Sequence, residues 1–305
     1  MKNIKLILIV FCTSVVVGSI YSCQSTKSST AAKLLKFNFE KGKGYDYELI
    51  TNMDQEIMGQ NIQMDMSFYY SMDVKEDDGN TKTITTSIDR FKMKAGAMGF
   101  NIDVDSDKPL PSLGLTEKGE DPMKILNTLF GAIKDQKFSM KVNAEGKVLE
   151  VSGFENMAKK IVDSLGIDEA EKEKMMQQFS KQFNAEQMKN QFERTWYIFP
   201  NKEVKVGDTW EKNTSLGNDE LGGGKYKSTY KVTDIEGNMV TLEENTEISS
   251  EKGDVEMKGE ITGTIVVDSD TGLIVKADQD MTLKPTEKGK GFEIKAKTKI
   301  RGKAR

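Results

Sequence analysis

The sequence predicts a mainly β fold with a helical subdomain (α+β). The expected form is a strongly curved antiparallel sheet, or half-open β-barrel, with helices packed on its concave side. Three observations predict it. Apolar and polar residues alternate over long runs from Leu35 to Val104 and again after residue 196, the period of a half-buried strand. Residues 154–193 change to helical spacing. Short Asp, Asn and Gly clusters separate the alternating runs, and turns that short join antiparallel neighbours.

Tyr45, Tyr47, Leu49, Thr51 and Met53 mark the first long strand, and Met58-Gly59-Gln60-Asn61 turns the chain. The next run, IQMDMSFYYSMDV over residues 62–74, places Ile62, Met64, Met66, Phe68, Tyr70, Met72 and Val74 on one face. A strand of that length spans roughly 43 Å, so it must twist and coil. Asp77-Asp78-Gly79-Asn80 reads as a hairpin turn. The apolar phase then moves from Ile84, Thr86 and Ile88 to Phe91 and Met93, the mark of a β-bulge. Phe100, Ile102 and Val104 continue as strand.

Asp121-Pro122 has the form of an N-cap with proline in the first helical position, opening a helix to about residue 134. Lys137–Val151 returns to strand around an Asn143-Ala144-Glu145-Gly146 turn. Met157, Ile161 and Leu165 form the stripe of a helix that Gly166 ends. Asp168 begins a second helix carrying Met175, Met176, Phe179 and Phe183. Asn184 and Gln187 form a capping box for a third, with Met188 and Phe192 on its apolar side. Each helix has one apolar side and so lies on something. From residue 196 the reading is strand again, with turns at Glu236-Gly237-Asn238 and Asp268–Gly272. Ten to twelve strands result, in two groups flanking the helices.

The first 22 residues read as an address. MKNIK is basic, and the apolar run Leu6–Ile20 spans only about 22 Å as a helix, short of the roughly 30 Å hydrocarbon core. A basic start, a short apolar run and then small residues describe a secretory signal peptide. Residues 23–34, rich in Ser, Thr and Lys, read as a flexible tether, and 35–305 as a single domain.

Composition excludes several functions. The chain of 305 residues has no histidine, which removes Ser-His-Asp and Cys-His catalysis and histidine-ligated metals. A net charge of −4 lacks the basic footprint of a nucleic-acid binder. Asp268-Ser269-Asp270-Thr271-Gly272 matches the start of a calcium loop but has Gln279 where the closing glutamate belongs, and reads as a tight turn. Asn101, Asp103, Asp105 and Asp107 share a strand-end face and read as solvated. Gly222-Gly223-Gly224-Lys225 lacks the strand-before, helix-after context of a phosphate loop. No cofactor, metal site or catalytic motif is expected.

Ile20-Tyr21-Ser22-Cys23 resembles the lipobox of bacterial lipoproteins. The resemblance implies cleavage before Cys23 and a diacylglycerol on its sulfur. Cys12 would leave with the leader and Cys23 would carry lipid, so the mature domain has neither disulfide nor thiol chemistry. Gln24 stands where an Asp would, by resemblance to enteric lipoproteins, favour the inner membrane, so the expected address is the outer membrane. QSTKSSTAAK has no acidic cluster resembling a surface-export tag, and the periplasmic face is favoured. PNKEVKVGDTWEK (200–212) and VNAEGKVLEVSG (142–153) resemble segments of uncharacterised envelope lipoproteins of Bacteroidetes-type bacteria. The predicted layout is similar to LolA/LolB-type carriers and mycobacterial lipid-binding lipoproteins.

Methionine is unbranched and polarizable, suited to surfaces that adapt to varied apolar partners. The expected lining of an apolar-ligand site is therefore Met64, Met66, Phe68, Tyr70, Met72, Met157, Ile161, Met175, Met176, Phe179 and Phe183. The expected function is a lipid-anchored, non-enzymatic envelope protein that binds or carries an apolar ligand such as a lipid. The alternative is a structural or protein-interaction module with a closed core. The membrane, reached through the lipid on Cys23, is the one partner expected; no nucleic acid is, and a protein partner is left open.

Overall fold

The computed structural model describes residues 31–57, 60–97, 100–108, 134–153, 159–160, 162–163, 168–182, 185–216, 224–252, 255–287 and 292–305. The fold is mainly β. The strands are β1 (Lys33–Leu35), β2 (Gly44–Ile57), β3 (Gln60–Asp77), β4 (Thr81–Ala97), β5 (Phe100–Asp105), β6 (Lys137–Asn143) and β7 (Val148–Ser152). Helices α1 (Glu169–Gln182) and α2 (Ala185–Trp196) follow. The second series is β8 (Lys202–Val204), β9 (Thr209–Leu216), β10 (Gly224–Glu236), β11 (Met239–Lys252), β12 (Val255–Asp268), β13 (Leu273–Pro285) and β14 (Phe292–Ala304).

Twelve strands form one antiparallel sheet in the order β7-β6-β4-β3-β2-β14-β13-β12-β11-β10-β9, with β5 beside the far half of β4. The short strands β1 and β8 pair with each other. Each series of strands is a meander, and the two meanders meet where β14 pairs β2 from Phe292↔Ile57 to Ala304↔Tyr45. Among the described residues the sheet does not close, and its edges are β7 and β9.

Local chemistry explains the turns. Asp78 Oδ1 accepts the N–H groups of Asn80 and Thr81 at 2.9 and 2.7 Å, while Gly79 adopts the positive φ of 89° that the hairpin needs. In the β3–β4 ladder Tyr69 pairs Arg90 and Tyr70 pairs Ile88, so Asp89 is the extra residue of a bulge. That bulge produces the change of apolar phase between Ile88 and Phe91. Asp168 Oδ1 caps α1 by accepting the Glu171 N–H at 2.8 Å.

The core follows the strand alternation. One continuous buried cluster takes Tyr45 and Tyr47 from β2, Met72 and Val74 from β3, Met140 and Val142 from β6, Val232 from β10, Leu242 from β11, Ile265 from β12 and Ile300 from β14. It also takes Phe37 and Phe39, which follow β1, and Trp196, which ends α2. Phe39 stacks on Tyr45 with ring centres 3.8 Å apart, and Phe37 lies 5.9 Å from the Trp196 ring. Strands from both ends of the sheet reach this one cluster, so the sheet must curl. Gly259 and Gly263 on β12 permit a close approach of the β13 backbone. A Cβ at either would run into a β13 carbonyl, that of Thr282 or Asp278.

Three expectations change. Trp196 belongs to α2 rather than to a strand, because Met188, Phe192 and Trp196 recur every four residues and put one stripe against the core. Lys33 and Leu34, read as tether, are part of β1. There are fourteen described strands rather than ten to twelve, the excess being the two three-residue strands. The helix expected at 121–134 lies outside the described residues except Lys134, as do Cys23, Leu165, Gly166 and Asn184.

Candidate functional site

The gap between the edges β7 and β9 is spanned by α2, which contacts both. Phe192 packs against Phe138 of β6 and stands edge-on to Tyr70 of β3, with ring centres 5.6 and 6.5 Å away. On the β7 side, the Val148 backbone N–H donates to the Glu193 carboxylate. On the β9 side, Trp210 Nε1 donates to the Ile198 carbonyl just beyond α2, at 2.7 Å. The two flanks also meet directly. Lys212 Nζ of β9 lies 2.5 Å from Glu145 Oε2 in the β6–β7 turn, and 4.0 Å from the centre of the Tyr197 ring. Lys212 is 8% exposed. Side chains, not a backbone ladder, hold this seam.

A cavity of about 810 Å³ opens beside the seam. Its described walls are residues 213–215 of β9, 225–227 of β10, 247–249 of β11, Lys258 and Gly259 of β12, and Glu193 of α2. The register puts Thr214, Tyr226, Ile248 and Gly259 side by side on the core-facing side. Thr214 is small, while the place of a side chain at Gly259 is taken by the Thr282 carbonyl of β13. The cavity's volume lies within the roughly 300–1,000 Å³ typical of small-molecule sites.

A buried polar group adjoins it. Arg194 of α2 lies over the Tyr226 ring at 5.2 Å and faces Glu244 Oε1 at 3.9 Å. Glu244 is 1% exposed; Gln279 Nε2 donates to its Oε2, and Thr246 Oγ1 donates to its Oε1 at 2.9 Å. The Ser228 hydroxyl lies 2.7 Å from Thr246 Oγ1. Burial pushes the Tyr230 phenol above its ordinary range, and the Glu244 charge adds to that. Burial also raises the Glu193 carboxyl pKa, against the pull of Lys189 and Lys147 and the bond from the Val148 N–H.

The described cavity lining contains none of the residues expected from the methionine pattern. Met72 is fully buried in the closed core. Tyr70 stacks on Tyr47 at 5.4 Å, and Phe68 packs on Phe91 at 4.7 Å in a small separate cluster. Met64 and Met66 are half-buried, opposite Met53 and Thr51 on β2. Met176 is half-buried on α1, which also carries Met175 and Phe179. Met157, Ile161 and Phe183 lie outside the described residues. The stripe and the helices do meet, at Tyr70 and Phe192. Lys212, Glu193, Arg194, Glu244 and Gln279 were not anticipated. The available signal was a charged or amide side chain in the apolar phase of a strand, as Glu244 stands between Leu242 and Ile248.

The remaining motifs are structural. Arg90 grips Asp105 with two hydrogen bonds of 2.9 and 2.6 Å and pairs Asp107 at 3.0 Å, while Lys94 pairs Asp103 at 3.5 Å. The acidic strand end is therefore neutralised by cations of its own chain. Asp268 Oδ1 accepts the Asp270 N–H at 2.9 Å, the turn expected there. Among the described residues no group of potential ligands could hold a metal ion, and no helix is long and apolar enough to cross a membrane.

The fold and seam define a class: an open, mainly β sheet bridged across its edges by a helix. The chain belongs to DUF6263, a family of unknown function, whose model matches residues 79–274. No curated protein matches it. Among solved structures, the translocator domain of autotransporter NalP from Neisseria meningitidis is 9% identical, covering 87% of this chain and 88% of its own at a TM-score of 0.30. Pseudomonas aeruginosa OccK5 (OpdH) is 6% identical, covering 88% and 99% at a TM-score of 0.18. Scores that low carry no argument about this chain.

Proposed function

We infer that this protein is a lipid-anchored, non-enzymatic component of the cell envelope that binds an apolar ligand such as a lipid. The anchor is the lipid on Cys23, and the expected address is the periplasmic face of the outer membrane. The helices form a subdomain on the concave side of the sheet, and the ligand lies between the two. The single observation carrying the binding reading is the cavity of about 810 Å³ between Glu193 of α2 and the Tyr226–Ile248 surface. One experiment tests it. The full chain is purified from its own membranes in mild detergent and weighed by native mass spectrometry, beside Ile248→Trp. A bound lipid mass in the wild type, reduced in the variant whose indole fills the cavity, supports the reading. A wild type that carries no added mass overturns it. The second reading, a structural module with a closed core, is favoured by Met72, which is sealed inside the core rather than lining any opening.

A further inference from the structure

The two ends of the sheet differ. Residues 33–39 cross one end as an arm. The Phe37 N–H donates to the Ala144 carbonyl in the β6–β7 turn at 2.7 Å, and the Asn38 N–H donates to the Thr271 carbonyl in the β12–β13 turn at 2.8 Å. Leu35, Phe37 and Phe39 of the arm are buried in the core. Met239 pairs Asp268, so β11 begins at this same end. The cavity lies far from it. Ile248 is nine residues along β11 from Met239, roughly 30 Å at the rise of a strand. Between the two levels the described side chains of Tyr230, Leu242, Thr246, Ile261 and Ile265 are buried, so the cavity does not open through the arm's end. The surface differs in the same sense. Among the described residues, the large apolar side chains that stand exposed are Leu34, Leu149 and Val206. Leu34 is in the arm. Val206 lies just beyond β8, the strand that pairs β1, and Leu149 is the second residue of β7, next to the β6–β7 turn. At the cavity's level the exposed side chains are instead Lys225, Lys227, Glu247, Ser249 and Lys258. Pressing those charges into lipid would cost them their hydration, a cost that Leu34 and Val206 do not carry.

We propose that the arm's end of the sheet rests on the bilayer and that the cavity opens on the aqueous side, away from the lipids that hold the anchor. This rests on the lipid anchor at Cys23, and the test separates the two claims. Cys23 precedes Lys33 by ten residues, and a chain of that length spans at most about 36 Å, so the arm's end stays near the surface. The full chain, lipidated in a bacterial membrane, is reconstituted in phosphatidylcholine nanodiscs with a bimane fluorophore on Val206→Cys or on Ser249→Cys, both exposed positions. A phosphatidylcholine bearing a nitroxide on its headgroup then quenches whichever label lies at the bilayer. The expected result is quenching at least about threefold stronger for Val206→Cys, since the cavity's level stands roughly 30 Å along the strands from the arm's end. Equal quenching, or stronger quenching of Ser249→Cys, in protein that stays with the nanodiscs overturns the orientation and leaves the anchor standing. Protein that separates from the nanodiscs on gel filtration overturns the anchor, and the orientation with it.

Discussion

Replacing Glu145 by Ala strands an ammonium inside the seam. Lys212 is 8% exposed, and its partners are Glu145 Oε2 at 2.5 Å and the Tyr197 ring at 4.0 Å. Removing one member of a buried ion pair costs about 3–5 kcal/mol, because the other charge remains out of water. The Glu145 side chain is 38% exposed, so water reaches the pair from that side. The Tyr197 ring also keeps an attraction of about 1 kcal/mol for the ammonium. Both reduce the loss, and the expected destabilisation is about 2–3 kcal/mol. Lys212→Met should behave differently. It keeps the apolar stem against its neighbours and leaves Glu145 able to turn to solvent, for a cost under about 1 kcal/mol. The double variant should then resemble Lys212→Met, since the stranded charge is gone. Urea unfolding followed by tryptophan fluorescence suits the question, because both tryptophans of the chain, Trp196 and Trp210, flank the seam. A loss in Glu145→Ala of about 0.5 kcal/mol or less, the value of an exposed pair, would refute the idea that this contact holds β9 to the β6–β7 turn.

Gly146→Ala attacks the same seam from the backbone. Gly146 has φ of 81°, and a Cβ there would overlap the Trp196 carbonyl, so a loss of about 3 kcal/mol or more in the urea midpoint, or failure to fold, is expected. The Asp105 carboxyl is held down to about 2 by its hydrogen bonds from Arg90. Its folded pKa lies below the ordinary 3.8, so its stabilisation is full above about pH 4 and fades as pH falls through about 2. The gap in urea midpoint between wild type and Asp105→Asn should therefore be wide at about pH 6 and shrink steadily below about pH 4; a pH-independent gap would contradict this. Cys23→Ser should abolish incorporation of radiolabelled palmitate, and unchanged labelling would exclude Cys23 as the lipidated residue.

Much of the architecture was legible because turns and faces are local properties. Asp78-Gly79 declares its hairpin through a side chain that accepts two backbone donors and a glycine that tolerates positive φ. The bulge at Asp89 is written in the phase change between Ile88 and Phe91. Strand order is not local. That β14 pairs β2, joining two meanders, depends on contacts more than two hundred residues apart, and no period within either strand encodes it. The seam is hidden for a related reason. Lys212 and Glu145 form one contact from two ordinary-looking segments, and only the curl of the sheet brings them together.

The methionine stripe of β3 and the described cavity lie in different parts of the sheet. Along β3 the stripe passes from Met72 and Val74, sealed in the core, to half-buried Met66, Met64 and Ile62. Adaptable side chains there fill space rather than leave it, as Tyr70 does against Tyr47 and Phe192. A cavity arises where side chain is missing. On β9 to β12 the core-facing row at the cavity holds Thr214 beside Tyr226 and Ile248, while β13 backbone takes the place of a side chain at Gly259. Thr214 acquires meaning only when the register sets it beside Tyr226 and, one strand further, Ile248.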